Sequence, residues 1–535
     1  MILVACGQID EYGRNAVRIF DNSARKSMDP FKEFTHGGTL SVAEILFHTS
    51  FDYMFPLLAE DPQSVLAPGA NTQGALLSLG TAIASDADAN NVTENSSIPA
   101  VFTYLGQFID HNITARTDRE IGASRIATPD GMVMDLTPLP SKEVVRNLVN
   151  GRRPKLDLNQ VYGDGPRIGK NASPTEADEL FDHTLAFNVI PSGSGFDVPR
   201  QDDGTAIIAD MRNNENLNIS QLHCAFLVFH NKVLAALPAA MPKEDKFIRA
   251  RQLVRWAYQY IVLNDYLPNV CDATVVREIL ANGARHYAPD NDLLFMPLEF
   301  SVAAFRFGHS MIRPSYNVNS ATMEVDLKDI LGFKQFVTGG PPPKLDAGKI
   351  IEWHNFAKFS GAADPQMARK IDPFIAKVLG DMPNFFLPGS GTTIPAGPLL
   401  QHLARRNLLR GFLLSLPTGQ AVADAMQMKP LKPAELRGEP GKPIYNAVVG
   451  GGFDTSTPLW YYVLREAEVQ QGGDRLGSVG SRIVAETLIA LVYRDKASYA
   501  NNHDDAAVKA NGIEVAAGTV IATISDLLKF AGVPI

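Results

Sequence analysis

Three polar side chains sit close together in an otherwise apolar stretch, Leu105-Gly-Gln-Phe-Ile-Asp-His-Asn-Ile113. In a helix, Gln107, Asp110 and His111 fall at i, i+3 and i+4 and share one face, while Leu105, Phe108, Ile109 and Ile113 pad the other sides. A carboxylate and an imidazole among apolar residues need partners or a task, because burying either unpaired is costly. Three further stretches hold comparable chemistry. Arg212-Asn-Asn-Glu215 sets a guanidinium and a carboxylate at i and i+3, at the opening of a long helical run. Phe305-Arg-Phe-Gly-His-Ser-Met-Ile312 holds His309 among aromatic residues, with Arg306 three positions before it, and Asn407 lies in Leu403-Ala-Arg-Arg-Asn-Leu-Leu-Arg410. Singly, each has a structural reading: an Arg–Glu pair at i, i+3 is commonly a surface ion pair, and a histidine on an apolar face is commonly a satisfied core residue.

The elements that must position these residues are mostly helical. Apolar residues at 219, 222, 226, 229, 233 and 237 repeat close to every 3.6 and predict a helix over residues 218–237. A second such pattern runs over 247–263 and is expected to stop at Asp265-Tyr-Leu-Pro268, because proline lacks the amide hydrogen a helix needs. Two more cover 458–468 and 480–493. Ser41 with Glu44 three residues on suggests a capped helix start at Ser41-Val-Ala-Glu-Ile-Leu-Phe47. Residues 1–40 are polar and poorly periodic, so 1–45 are read as an N-terminal arm and 46–535 as one domain. Residues 115–206 are punctuated by Gly and Pro, as in segments that line a surface or a site. The runs 339–343 and 383–399 are loops. Internal repeats and heptads are absent from the sequence and alternating strand patterns are few, so the expected fold is mainly α, a single large helical unit with little β structure.

Composition narrows the function classes. A chain of 535 residues with 45% hydrophobic and 20% charged residues can bury a large core, and its net charge of −9 argues against nucleic acid as a partner. Cys6, Cys224 and Cys271 are an odd number without CxxC spacing, so neither a disulfide framework nor a zinc site follows. The N-terminus has no basic segment ahead of an apolar one, and no window reaches the ~18 apolar residues of a membrane span. The expected location is the cytoplasm, with signal-independent secretion left open. Asp86-Ala-Asp-Ala-Asn90 resembles a calcium loop but has Asn91 where glycine is needed and Ser97 where glutamate is needed, and is read as a solvated loop.

Taken together and in order, Leu-Gly-Gln-Phe-Ile-Asp-His, Arg-x-x-Glu, Phe-Arg-Phe-Gly-His-Ser and Ala-Arg-Arg-Asn-Leu-Leu-Arg-Gly resemble the animal-type haem peroxidase superfamily. Asp157-Leu-Asn-Gln-Val-Tyr-Gly163, His230-Asn231, Asp265-Tyr-Leu-Pro268 and Leu416-Pro-Thr-Gly-Gln420 are lesser echoes, so the resemblance runs from about residue 50 to about 500.

The resemblance implies a haem b derivative, with His309 as the proximal iron ligand and the Asn407 side-chain oxygen accepting from its Nδ1–H. It implies His111 as the distal acid–base group, kept neutral by apolar surroundings without a second charge nearby, and Arg212 as the cation that steadies charge on the leaving oxygen. Gln107 would bind distal water or a small anion, and Arg306 would meet a haem propionate. Asp110 and Glu215 occupy the places of the carboxylates that form ester links to the haem in relatives. A third link there comes from a methionine directly after the glutamate; this chain has Asn216, which removes the strongest case for chloride oxidation.

The resemblance also implies a calcium site, which this sequence fits poorly. Its first ligand follows the distal histidine as aspartate, and here is Asn112. The loop positions hold Arg153, Lys155, Asp157 and Asn159. Asp157 alone is a thin charge count for a divalent cation, and the alternative is that Arg153 takes the cation's place beside Asp157. The implied reaction is reduction of hydrogen peroxide with oxidation of small phenols, bromide, iodide or thiocyanate, with donor and oligomeric state open. A fatty-acid dioxygenase of the superfamily would carry a radical-forming tyrosine three residues before the proximal histidine, where this chain has Arg306. A non-catalytic scaffold would have no need of His111, Arg212 and His309, and all three are present.

Overall fold

Ala70–Ser85 (α1) and Leu403–Leu413 (α5) cross so closely that a side chain on Gly80 would stand 2.9 Å from the Arg405 backbone. Between them in sequence lie Val101–Ile113 (α2), Leu217–Ala236 (α3) and Lys243–Ile261 (α4). After α5 come Leu459–Gln471 (α6), Ser478–Tyr493 (α7) and Ile524–Ala531 (α8). The computed structural model describes residues 51–85, 94–115, 126, 132–163, 165–166, 179–287, 289, 294–340, 342–382 and 398–535. The 1–45 arm, the Ser41–Phe47 pattern, Cys6, the Asp86–Asn90 loop and most of the 383–399 run lie outside the described residues. The described architecture is mainly α, as expected.

The core forms where apolar stripes meet. Leu105, Phe108, Ile109 and Ile113 of α2 are fully buried, each stabilising the fold by about 1.5–3 kcal/mol. Phe108 stacks on Phe226 of α3 with centroids 4.5 Å apart and meets Tyr258 of α4 edge-on at 6.0 Å, so three helices lock through one ring. Both described cysteines, Cys224 and Cys271, are buried and free. The strands among the described residues form two- and three-stranded ladders; the three-stranded one, 508–521, precedes α8.

The predicted helices at 218–237, 458–468 and 480–493 are present within a few residues. Proline did not act as expected at 268. The chain continues past α4 as a wider turn, Val262–Tyr266, and then Leu267–Val270, with Pro268 in the first turn of that segment. Proline is tolerated there because a first-turn amide has no helical partner to lose, and the Asn269 side chain donates to the Asp265 carbonyl at 2.8 Å. The result brings Tyr266 against α2, where Gly106 leaves room for its hydroxyl: a Cβ there would stand 2.6 Å away.

Candidate active site

The short turn Met211–Asn214 and the start of α3 are each held by the side chain of the residue just before them. Asp210 caps the turn by accepting from the Arg212 amide at 3.0 Å, and Asn216 caps α3 by accepting from the Ile219 amide at 2.9 Å. On α2, Thr114 ends the helix in extended backbone, and its hydroxyl donates to the Asp110 carbonyl at 2.9 Å and to Asp110 Oδ1 at 3.0 Å. Residues 304–309 form a tight turn packed against α2 and α6. These elements enclose a cavity of about 1070 Å³.

Gln107, Asp110, His111, Arg212 and Glu215 all line one wall of it, and Arg306 and His309 line another. The structure therefore brings together the residues that the sequence scattered over 200 positions, with Asn407 one layer behind. Phe102, Val302, Phe305 and Leu403 supply apolar wall, and Arg406 and Arg410 add two guanidiniums to that of Arg306. The lining also includes exposed Glu179, Gln201 and Lys334.

On the distal wall, His111 is 5% exposed and its Nδ1 lies 2.8 Å from Asn213 Oδ1, which leaves Nε2 for the cavity. Burial, and then the Arg212 guanidinium, push the His111 pKa below its ordinary value, while Glu215, Asp210 and Asp110 push the other way. The ring is thus neutral at rest, but not for want of nearby charge, as expected from sequence: charges of both signs surround it and burial prevails. Arg212 is pinned by Asp210, with Nε at 3.0 Å from Oδ1 and Nη2 at 2.7 Å from Oδ2, and Nη2 also donates to the His111 carbonyl at 2.8 Å. Burial pushes the Asp210 carboxyl up, but Arg212 and Arg152 outweigh it and hold it well below the usual carboxylate range. Asn216 Nδ2 donates to Gln107 Oε1 at 3.2 Å, so Gln107 turns its amide nitrogen away from Asn216.

On the proximal wall, His309 Nδ1 lies 2.9 Å from Asn407, and burial, then Arg306 and Arg406, push its pKa down to about 3. The amide is turned opposite to expectation. Asn407 presents Nδ2 to His309, because its Oδ1 accepts from Arg306 Nη1 at 3.4 Å; Arg306 Nε donates to the Ser301 carbonyl at 3.0 Å. A half-turn of the amide exchanges the two atoms at the same separation.

At the implied calcium positions, Asn112 Nδ2 donates to Asp157 Oδ1 at 3.2 Å, and Asn112 Oδ1 accepts from the Leu158 amide at 3.3 Å. The Asn159 amide donates to the same Asp157 oxygen at 3.1 Å. Lys155 reaches away to Asp495, at 3.6 Å. Among the described residues no group of three or more His, Cys, Asp or Glu could hold a metal ion. Of the implied calcium positions only Asp157 offers a carboxylate, and it is already bonded to Asn112, a poor match to the charge that a divalent cation asks for.

Sequence reasoning passed over Asp210, Asn213, His223, Arg406 and Arg410. All but His223, which falls in the 218–237 helical pattern, stand beside quoted motifs or inside them, but a contact such as His111 to Asn213 spans 102 positions and needs the fold to be seen.

Residues 67–340 match the animal haem peroxidase family, and the chain belongs to it. Human thyroid peroxidase is 26% identical over 190 residues, 32% of this chain and 20% of that protein. Mouse myeloperoxidase is 22% identical over 324 residues, 52% of this chain and 43% of that protein. The chain thus spans less than half the length of these relatives. In fold it is similar to peroxidase A from Dictyostelium discoideum, with TM-score 0.57, 16% identity, and 94% of this chain and 96% of that one covered. It is also similar to a fatty acid alpha-dioxygenase from Arabidopsis thaliana, with TM-score 0.52, 12% identity, and 91% and 74% covered. The family implies haem, and the donor set fits it: an apolar slot, imidazoles on two walls, and three guanidiniums suited to carboxylates.

Proposed function

We propose that this chain is a haem peroxidase that reduces hydrogen peroxide and oxidises small donors. The observation that carries the reading is the pair of histidines, His111 and His309, lining one cavity, each with Nδ1 engaged by an asparagine and Nε2 left over. His309 would bind the iron, with Asn407 turned to accept from Nδ1–H. Arg306, Arg406 and Arg410 would meet the propionates, and Asp110 and Glu215 would form ester links to the ring. When bound, the haem supplies the iron at which peroxide is reduced and from which donors are oxidised.

The chain's own residues handle protons and charge. His111 takes a proton from peroxide at Nε2 and returns it to the departing oxygen. Arg212, with Nε and Nη2 engaged, keeps Nη1 to steady negative charge on that oxygen. Gln107, oriented by Asn216, offers its amide hydrogens to water or a small anion. Small phenols, bromide, iodide and thiocyanate are the proposed donors; Asn216 in the methionine position argues against chloride. Asp157, tied to Asn112, is proposed to work without calcium.

The test is the visible spectrum of the haem-loaded protein before and after peroxide, followed by acid–acetone extraction. A Soret band that shifts with peroxide and a haem that stays with the protein are expected, and Asp110→Ala with Glu215→Ala should release it. Complete extraction from the wild type rules out the esters. An unchanged haem spectrum in His309→Ala overturns the proximal role, and oxygen uptake with an unsaturated fatty acid at trace peroxide favours a dioxygenase instead.

A further inference from the structure

A peroxidase of this kind needs His111 to offer a bare Nε2, and the residue that decides this lies outside the cavity. Asn213 is fully buried behind the ring and reaches two histidines at once. Its Oδ1 stands 2.8 Å from His111 Nδ1, and its Nδ2 stands 2.9 Å from Nδ1 of His223, which is fully buried on α3. His223 Nε2 is buried without a hydrogen-bond partner, and its ring meets that of Phe108 in an edge-type contact with centroids 6.4 Å apart. We infer that Asn213 is a positioning residue that sets the tautomer of the distal base, with His223 coupled to it through the other end of the amide. The inference rests on the peroxidase reading of the site.

The tautomers follow from donor and acceptor types. An amide oxygen only accepts, so His111 Nδ1 carries hydrogen and Nε2 carries the lone pair. Turned over, the amide would donate to His111 Nδ1, move the ring hydrogen to Nε2 and remove the base from the cavity. The turn would reach His223 as well, because its Nδ1 now accepts from Asn213 Nδ2 and would have to become a donor. The three side chains can therefore change only together.

The chemistry also asks for an amide rather than a carboxylate. Once His111 holds the peroxide proton, both ring nitrogens are protonated and Nδ1–H still donates to Oδ1. A neutral acceptor holds that state without trapping it, so the proton can go back to the departing oxygen. The charges already facing His111 are Arg212, against, and Glu215, Asp210 and Asp110, in favour of the protonated ring. A further carboxylate behind the ring would tip this balance.

The near-isosteric Asn213→Asp and the truncation Asn213→Ala test this in the haem-loaded protein. Two readouts serve: the pH profile of the rate with peroxide, and the C–O stretching band of the ferrous carbonyl complex, which reports whether Nε2–H faces the bound ligand. Asn213→Asp is expected to move the acid limb of the profile up by about 1–3 pH units, the usual effect of an opposite charge at such a distance. Asn213→Ala is expected to add a lower-frequency C–O band and to slow the peroxide reaction by less than the ~10²–10⁴-fold of losing a general base outright. An unmoved acid limb in Asn213→Asp, with normal haem content, overturns the inference and leaves the peroxidase reading standing, even where Asn213→Ala does not fold. A wild-type protein whose haem spectrum ignores peroxide overturns the peroxidase reading itself, and this inference with it.

Discussion

The two walls of the cavity use the same two residue types, a histidine backed by an asparagine, and tune them to opposite ends. On the distal wall the amide oxygen faces His111; on the proximal wall the amide nitrogen faces His309, and the proposed iron ligation asks for that amide to be turned over. What stands on the far side of each amide makes the difference. His223 draws Nδ2 of Asn213, whereas Arg306 draws Oδ1 of Asn407. The charges differ in the same sense. His309 faces only Arg306 and Arg406 as charged neighbours shaping its pKa, and is pushed down to about 3. His111 faces Arg212 but also three carboxylates. A ring whose charged neighbours are cations resists protonation, as the proposed metal ligand needs; a ring among mixed charges favours the neutral form yet can gain a proton, as the proposed shuttle needs.

The largest blow to this contrast is His111→Ala. It should lower the rate with peroxide by ~10²–10⁴-fold while haem content stays at the wild-type level. Stopped-flow mixing with peroxide at matched haem concentration checks it. An equal loss of haem would mean that the distal ring is a structural support, and the division of labour would fail.

Arg212→Ala should cost somewhat less, on the order of 10²–10³-fold, and it tests the charge balance as well. On the proposed reading His111 works when neutral, so activity should be lost as pH falls through its pKa. Burial and Arg212 hold that pKa below its ordinary value, so the wild-type acid limb should lie below pH ~6.5. Removing Arg212 leaves Glu215, Asp210 and Asp110 to push the pKa up, and the acid limb should move to higher pH. A rate loss with no shift of the limb would assign Arg212 to the leaving oxygen alone.

Much of this arrangement was legible in the sequence, because it rests on local periodicity. Gln107, Asp110 and His111 share a face for the reason their spacing states, and the cavity wall follows. The long-range partners were not legible. Asp210 pins Arg212 from two residues away, yet nothing local distinguishes that from an ordinary capping aspartate. Asn213 had no apparent task until folding set it between α2 and α3. The Asn407 orientation depends on Arg306, a neighbour only in space. Pro268 was misjudged because proline ends a regular helix but not one that widens just before it.

The supports of the two walls differ too, and there the smallest effect is expected. His309 rides on a turn braced by α6, while the helix carrying His111 is tied at its end through Asn112 to Asp157 and the Leu158 amide. An asparagine donates where an aspartate would need a cation between the two side chains, so direct contact does the bridging. Arg251, half-buried, is drawn to Tyr162 and Asp157 and repelled by Arg255 and Arg153, so a positive charge already stands near this carboxylate. Mild chelation should therefore change neither haem content nor the rate with peroxide. Asn112→Ala, which strips the Leu158 amide of its partner and Asp157 Oδ1 of one of two, should lower stability by about 1–3 kcal/mol, read from denaturant unfolding, with or without chelator. Stoichiometric calcium that survives purification and whose removal mimics Asn112→Ala would sink this account, and with it the claim that the distal support needs no metal.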